Sequence, residues 1–236
     1  MLSRVRYVLG QVGLVALGVF VYFRVRGLTE GSAEVAREHA HDVVGFERRL
    51  GLDLEDPLQD VVAPFAALRT FGNWVYVWGH WPVIIVTMMW LVWHHREVFL
   101  RLRDAMLVSG ALGMIVFVTY PVAPPRLAGL GLVDTVSEQS RAYRVLQPPA
   151  FVNQYAAMPS LHSGWDLLVG IAIISAASSL VLRIIGFAMP VLMAFAVVAT
   201  ANHYVVDVIA GIALVLVGHG VALWLERLRR RRRTSA

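Results

Sequence analysis

The chain has 236 residues, 58% of them hydrophobic, with a mean hydropathy of +0.63 and a formal net charge of +5. This composition, with several apolar runs long enough to cross a bilayer, is typical of a polytopic membrane protein and excludes an ordinary soluble domain. The sequence has no cysteine, which excludes disulfides and thiolate metal sites. It also has no lysine, so its permanent cations are all arginines.

The N-terminal third is predicted to hold one span and two surface helices. Residues 5–23 form an apolar run flanked by arginines, and no small-residue cleavage site follows it, so we predict an uncleaved span instead of a signal peptide. Residues 27–71 are mixed polar and amphipathic. Helices within them, at Ala33–Leu50 and Leu58–Leu68, are predicted to lie at the membrane surface or to fold over its mouth, and not to span it.

The middle of the chain is predicted to hold two spans. Residues 74–93 form the second span, with aromatic anchors near its start. A short basic turn at 94–104 leads to the third span at 105–120. An irregular loop at 127–158 follows it.

The last part of the chain is predicted to hold three spans. Residues 161–200 are apolar for about two span lengths at ~20 residues each, so we predict spans four and five there. The break between them is expected at the Ser178-Ser179 pair and Arg183. The sixth span is predicted at 203–225.

We therefore predict a single all-α membrane domain, residues 1–236, with six transmembrane helices plus short interfacial helices. Its parts are a first span at 1–26, an interfacial segment at 27–71, a catalytic five-span core at 72–226 and a basic cytoplasmic tail at 227–236. The six arginines from Arg227 to Arg233 could bind nucleic acid, but an anchor against anionic lipid is the simpler interpretation. We expect the lipid bilayer as a partner and no nucleic acid, and the oligomeric state is left open.

This topology brings three polar clusters to one membrane face. With both termini in the cytoplasm, Arg126, His162 and His203 all lie at span ends on the non-cytoplasmic side. Ionisable groups beside hydrophobic spans are unfavourable and imply a function. We therefore expect an active site on the non-cytoplasmic face of a bacterial cell membrane.

His203 and Asp207 are four residues apart at the start of the sixth span and therefore share a helix face. Asp207 could accept one imidazole N–H and leave the other nitrogen with a free lone pair. A histidine held in this way is a competent nucleophile or base. The alternative is a structural His–Asp pair that links two helices.

A second candidate group lies where the fourth span begins. Pro159 ends any preceding helix and Ser160 is a good N-cap, so His162 falls in the first turn of a helix whose N-terminus suits an anion. A lone histidine at this position could simply be an interfacial residue with no catalytic role. Paired with His203, it suits two-step phosphoryl transfer, in which one imidazole attacks phosphorus and the other protonates the departing oxygen.

Other side chains are candidates for binding substrate. Arg126, presented by two prolines, could bind phosphoryl oxygens in a bidentate manner or only snorkel to the interface. Tyr76 and His80 could line a headgroup pocket or belong to an aromatic belt. Asn202 could bind substrate or cap a helix. Asp166 lies one turn after His162 and could bias its protonation or only favour the helix N-terminus.

A metal-dependent reaction is the less favoured alternative. His162, His203 and Asp207 could in principle bind zinc, but the arginine and the helix N-terminus would then have no role. We also expect no cluster of Asp and Glu on this face to hold Mg²⁺ with a phosphate. We therefore predict no cofactor and no metal ligand.

Three short segments resemble the signature segments of the type 2 phosphatidic acid phosphatase superfamily. They are Pro-Pro-Arg at 124–126, Pro-Ser-Leu-His at 159–162 and His-Tyr-Val-Val-Asp at 203–207. The resemblance covers roughly residues 70–225. The second segment reads Pro-Ser-Leu-His and not Pro-Ser-Gly-His, which is most similar to the inositol phosphorylceramide synthase-like (inositolphosphotransferase) branch.

The resemblance implies six spans and a role for each matching residue. His203 would be the nucleophile that forms a phosphohistidine, with Asp207 as its orienting partner. His162 would be the general acid for the leaving group, and Arg126 and Ser160 would bind phosphate.

Two positions depart from the family pattern. A lysine seven residues before the first-segment arginine is replaced by Thr119, and an arginine six residues before the third-segment histidine is replaced by Val197. Arg141 or Arg144 could substitute for the missing cations. These departures favour transfer of a headgroup phosphate between lipids over plain phosphatase activity.

The sequence thus predicts a membrane enzyme that transfers or hydrolyses the phosphoryl group of a lipid phosphate without a metal. The alternative is a transporter or lipid flippase with a His/Asp proton relay, which would place the ionisable groups near mid-bilayer in broken helices. A non-enzymatic scaffold is a third possibility, but it leaves the convergent pocket unexplained.

Overall fold

The computed structural model describes residues 2–28, 31–136 and 153–234, and these residues are helical apart from short connections. The helices are α1 (Leu2–Leu28), α2 (Ala33–Leu50), α3 (Glu55–Val62), α4 (Ala66–Trp78), α5 (Trp81–His94), α6 (Arg96–Thr119), a 3₁₀ turn (Pro125–Leu127), α7 (Leu161–Ala176), α8 (Leu180–Ala199) and α9 (Val205–Thr234). In the described ranges the extended pairing is limited to one bridge, between Val122 and Ala156. The all-α prediction is confirmed.

Four of the described helices, α1, α6, α8 and α9, are long and apolar enough to cross a membrane. The pair α4 and α5 would be a fifth span if its two halves cross together. Helix α7 is apolar but has only 16 residues. The chain is therefore an integral membrane protein with four or five candidate spans by length and composition, and the sixth stays a prediction.

The span predicted at 74–93 is not one straight helix, and as a bent pair it stays a candidate span. Helix α4 ends at Trp78, α5 begins at Trp81, and the two are bent by 42°. Pro82 lies in the first turn of α5 and has no backbone N–H, so it is accommodated where a helix starts and not in its interior. The bend places His80 in the two-residue connection between the helices.

The predicted basic turn at 94–104 is mostly helix, because α6 begins at Arg96. Two of its arginines are held by carboxylates: Arg101 pairs with Glu226 at 2.8 Å, and Arg103 pairs with Asp104. The predicted tail is helical too, since α9 extends to Thr234. The two segments were predicted as a turn and a tail because of their charges. Ion pairs between α6 and α9 stabilise helix in both of them.

The surface helix predicted at Leu58–Leu68 is also misplaced. The chain instead forms α3, which ends at Val62, and α4, which begins at Ala66. Pro64 lies between them and interrupts the helix. The prediction at Ala33–Leu50 is confirmed as α2, which packs Ala36, Ala40 and other small side chains against the loops at one end of the bundle.

Helix α7 lies at the centre and packs against α6, α8 and α9. Its buried side chains Trp165, Leu168 and Val169 form the main apolar core. Small residues allow α7 and α9 to approach closely: a Cβ at Gly211 would lie 2.1 Å from the carbonyl oxygen of Ser160. This contact fixes the N-terminal ends of the two helices side by side.

Candidate active site

One cavity at this end of the bundle brings together residues that are far apart in the sequence. Six of the eight predicted site residues line it: Tyr76, His80, Arg126, His162, Asn202 and His203. The other two, Ser160 and Asp207, are fully buried behind the cavity wall. The convergence expected from the topology is therefore observed in the fold.

The two predicted catalytic imidazoles face the same space. His162 is in the first turn of α7, and His203 lies two residues before α9 begins. Their ring centroids are 5.7 Å apart and the rings are tilted by 54°. This separation leaves room for one small group that contacts both rings, which is what proton transfer and nucleophilic attack on a common substrate need.

The imidazole of His203 is held in one tautomer. Its Nδ1 lies 2.7 Å from the carbonyl oxygen of Ala157. A carbonyl oxygen can only accept a hydrogen bond, so Nδ1 carries the proton and donates it. The neutral ring then has its lone pair on Nε2, the nitrogen available to an electrophile in the cavity.

Asp207 has a different geometry from the one predicted. Its Oδ2 is 3.4 Å from Nδ1 of His203, longer than an ordinary N–H···O bond, and accepts the backbone N–H of Tyr204 at 2.9 Å. The carboxylate is needed at the start of α9, where backbone N–H groups have no partner within the helix. Asp207 therefore lies close to His203, while Ala157 accepts the hydrogen bond from its Nδ1.

Ser160 is the N-cap of α7, as predicted, because its hydroxyl accepts the backbone N–H of Ser163. Its own backbone N–H donates to the carbonyl oxygen of Asp207 at 2.9 Å. The predicted direct contact of Ser160 with phosphate is therefore not supported by this geometry. Leu161 and His162, in the first turn of α7, line the cavity in its place.

Arg126 is fixed at the cavity by two partners. Its Nη1 donates to the Oδ1 atom of Asn202 at 2.6 Å, and its Nε forms an ion pair at 2.9 Å with Asp134, without hydrogen-bond geometry. Asn202 in turn donates to Thr200. Asn202 therefore orients the guanidinium. Asp134 was missed because nothing in the sequence linked that loop residue to Arg126.

A second histidine–carboxylate pair adjoins His162. Nδ1 of His80 lies 2.8 Å from Oδ1 of Asp166, and the two side chains are 3% and 1% exposed. The His80 ring is 4.4 Å from the His162 ring, and Tyr76 stacks on His162 at 4.7 Å. His80 and Tyr76 line the cavity as predicted, but both also contact His162. Asp166 was considered as a partner of His162 or as a helix N-terminal acid, and its carboxylate contacts His80.

The two departures from the family pattern supply no charge to the cavity. Thr119 is exposed and its hydroxyl donates to the backbone of its own helix. Val197 is fully buried, and its carbonyl accepts the backbone N–H of His203 at 3.0 Å. Arg141 and Arg144, the predicted substitutes, lie outside the described residues, so their role stays a prediction.

Two buried glutamates, which do not line the cavity, accept backbone N–H groups at the start of α9. Oε1 of Glu47 accepts the N–H of Val206 at 2.7 Å, and Oε1 of Glu55 accepts the N–H of Val205 at 2.9 Å. Burial raises the pKa of Glu47 to about 8 and also raises the pKa of Glu55. With Asp53 they form a cluster in which one carboxylate oxygen of each residue lies within 4.8 Å of the others. None of the three lines the cavity, so the expectation of no Asp and Glu cluster that would hold Mg²⁺ with a phosphate stays a prediction.

The sequence analysis missed this cluster because it treated residues 27–71 as surface segments. Helix α2 carries Glu47, and Glu55 begins α3 after a turn. The tight turn at Gly51, which has a left-handed φ of 68°, folds α3 back so that both carboxylates meet α9. An acidic residue on an otherwise apolar helix face was the one available signal.

A family model described as the PAP2 superfamily matches residues 41–221. This range includes the three signature segments, every cavity residue named above and the glutamates behind α9. Comparison with curated proteins and with solved structures gave no significant match. The match is to the superfamily as a whole, so assignment to the inositolphosphotransferase branch stays a prediction. Because the match covers more than half of the sequence, the chain belongs to the PAP2 superfamily.

Proposed function

We propose that this protein is a membrane lipid phosphatase or phosphotransferase that works through a phosphohistidine at Nε2 of His203, without a metal in the reaction. The observation that carries the proposal is the hydrogen bond from Nδ1 of His203 to the carbonyl oxygen of Ala157, which leaves the lone pair on Nε2. The ring centroids of His203 and His162 are 5.7 Å apart. The family match supports an enzyme that acts on phosphate esters.

The first step is attack on the phosphorus atom of the lipid phosphate. The lone pair of Nε2 forms the N–P bond while the bond from phosphorus to the ester oxygen breaks. Protonated His162 gives its proton to that oxygen, which leaves as an alcohol. Arg126 stabilises the negative charge on the phosphoryl oxygens, because its planar guanidinium can donate to two of them.

The second step reverses these roles. Neutral His162 takes a proton from water or from a second alcohol, whose oxygen attacks phosphorus. The N–P bond breaks and its electron pair returns to Nε2 of His203. Water gives a phosphatase and a lipid alcohol gives a phosphotransferase. If the donor is phosphatidylinositol, the transferred group is inositol phosphate and diacylglycerol leaves.

The small number of cationic side chains in the site favours phosphotransfer over hydrolysis of a phosphomonoester. Among the described residues that line the cavity, Arg126 is the one arginine, and Asp134 already pairs with it. A singly charged phosphodiester suits such a site better than a doubly charged phosphomonoester. The apolar helices around the cavity support a lipid as the substrate and a location in the membrane. A site on the non-cytoplasmic face stays a prediction from the sequence.

A trapping experiment tests the proposal. Purified protein in neutral detergent is incubated with EDTA and phosphatidic acid or phosphatidylinositol, each labelled with ³²P, and quenched in alkali, in which a phosphohistidine survives and an acyl phosphate does not. We expect label on the wild type and on His219→Asn, a matched histidine change on α9 away from the cavity. His203→Asn should carry none.

The donor that labels the protein identifies the branch. Label from phosphatidylinositol together with retained [³H]inositol supports inositol phosphate transfer, and label from phosphatidic acid alone supports a phosphatase. The flippase alternative is favoured if the wild type acquires no label from either lipid and if the protein, placed in lipid vesicles, moves lipid between the leaflets in a pH-dependent manner.

A further inference from the structure

The cluster behind α9 brings three acidic side chains together, and in the described part of the chain one cationic side chain, Arg48, pairs with it. It consists of Glu47 at the end of α2, Asp53 in the following turn and Glu55 at the start of α3. One carboxylate oxygen of each lies within 4.8 Å of the others. Three like charges at this distance repel each other unless a cation or protons compensate them.

An independent feature of the cluster indicates a missing ligand. Glu47 and Glu55 are 0% and 3% exposed, and each uses only Oε1, as an acceptor for a backbone N–H of α9. The Oε2 atom of each is buried without a hydrogen-bond partner among the described residues. A buried carboxylate oxygen left unpaired is unfavourable by several kcal/mol unless something binds it.

The protein groups nearby do not supply the compensation. The N-terminus of α9 provides a partial positive charge of about half a unit. The nearest arginine, Arg48, pairs with Asp53 at 2.8 Å but its side chain is 63% exposed. In the described part of the chain neither Glu47 nor Glu55 forms an ion pair with a cationic side chain.

We propose that Glu47, Asp53 and Glu55 bind a hard divalent cation, with Ca²⁺ as the best match. Calcium takes oxygen ligands at about 2.3–2.6 Å in a flexible geometry, so any two of its ligands lie at most about 5 Å apart. The three carboxylate oxygens, all within 4.8 Å of one another, fit inside that limit. Magnesium requires a tighter octahedron of ligands. Asp53 is only partly buried, which leaves a path for the ion and room for water ligands.

The ion is structural and lies outside the reaction. Glu47 and Glu55 bond the two N–H groups that follow Tyr204 at the start of α9, close to His203 in the chain. A cation that joins the two carboxylates would therefore fix α2 and α3 against the segment that carries the nucleophile. The inference does not depend on the proposed phosphoryl transfer, because it concerns a site on the other side of that segment.

Binding and thermal stability test the site directly. The full-length protein in neutral detergent is stripped with EDTA, dialysed and titrated with CaCl₂, MgCl₂ or NaCl at matched ionic strength. We expect one ⁴⁵Ca²⁺ per chain by equilibrium dialysis and a saturable rise in Tm with Ca²⁺ that exceeds the rise with Mg²⁺. No phospholipid is added, so the result is separate from the phosphohistidine assay.

Two variants separate ligand loss from a change of surface charge. Asp53→Asn keeps both helix contacts of the glutamates and should weaken ⁴⁵Ca²⁺ binding at least tenfold. Arg48→Gln removes the competing cation and should bind Ca²⁺ as well as the wild type or more tightly. The proposal is overturned if the wild type binds no more Ca²⁺ than Asp53→Asn, or if its Tm is the same with Ca²⁺ as with NaCl; protons shared between the carboxylates would then be the compensation.

Discussion

The carbonyl oxygen of Ala157 accepts the Nδ1 proton of His203 at 2.7 Å, and this contact joins the two ends of the candidate active site. Ala157 immediately precedes the Met-Pro-Ser segment that starts α7, whereas His203 precedes α9. The bond therefore ties the nucleophile to the segment that carries His162. It also sets the tautomer of His203 with a neutral acceptor, a role usually given to a carboxylate.

Asp207 should consequently contribute less than His203 to the reaction. In Asp207→Asn the Ala157 carbonyl still orients the ring, but the charge that stabilises a cationic imidazole is lost. We expect kcat/KM to fall about tenfold to a hundredfold, the range typical of a supporting group, with the phosphohistidine still detectable. The measurement is steady-state turnover together with alkaline trapping. A variant as inactive as His203→Asn would show that Asp207 and not Ala157 controls the ring.

The positions of these groups were only partly predictable from the sequence. The i to i+4 spacing placed Asp207 beside His203, and the structure confirms the pairing. It could not reveal the bond to Ala157, because a backbone carbonyl 46 residues away has no side-chain signature. The N-cap role of Ser160 followed from local chemistry, whereas its N–H contact with Asp207 depends on how α7 and α9 pack.

The fold shows the same division. Apolar runs located α6, α8 and α9 well because hydrophobic length is a property of each segment alone. Charge misled at α6, where Arg101 is held in a helix by Glu226 and does not mark a turn. The roles of Glu47 and Glu55 depend on a fold-back at Gly51 and could not be read from their own surroundings in the sequence.

The rate lost when His162 is replaced should be larger for a substrate with a poorer leaving group. Replacing it with alanine removes the proton donor, so turnover of a lipid phosphate should fall about 10²- to 10⁴-fold. The aryloxide of an aryl phosphate leaves without protonation, so the rate of the first step with such a substrate should fall much less. Single-turnover rates of phosphoenzyme formation with both substrates measure the difference. Equal losses with the two substrates would contradict a general-acid role.

Asp134 should compete with substrate for Arg126. In Asp134→Asn the guanidinium loses an anionic partner at 2.9 Å but keeps the bond from Nη1 to Asn202. We expect inorganic phosphate to inhibit this variant at a severalfold lower concentration than the wild type. Arg126→Lys is the converse change: it keeps the charge but loses the bidentate geometry, so phosphate should inhibit more weakly. Unchanged inhibition constants in both variants would place the phosphate elsewhere.

His80 and Asp166 should act on His162 without touching the substrate. Replacing Asp166 with asparagine keeps the size of the side chain but removes the charge that His80 contacts at 2.8 Å. We expect kcat to fall about tenfold while KM changes little, because the second pair positions the ring next to it and does not bind the lipid. The matched control is Ser175→Ala, an exposed change farther along α7. An effect confined to KM would instead make His80 a headgroup-binding residue.

The close approach of α7 and α9 should tolerate no side chain at Gly211. A Cβ there would lie 2.1 Å from the carbonyl oxygen of Ser160, so Gly211→Ala must push the helix starts apart. We expect Tm in detergent to fall and turnover to fall with it, since His162 and His203 sit on the separated segments. Gly220→Ala, also on α9, has no neighbouring atom within 4 Å and should raise Tm slightly, because alanine favours helix by about 1 kcal/mol over glycine. If Gly211→Ala matches that control in both Tm and turnover, the helices are not held together by this contact, and the geometry of the two imidazoles must be maintained by the loops instead.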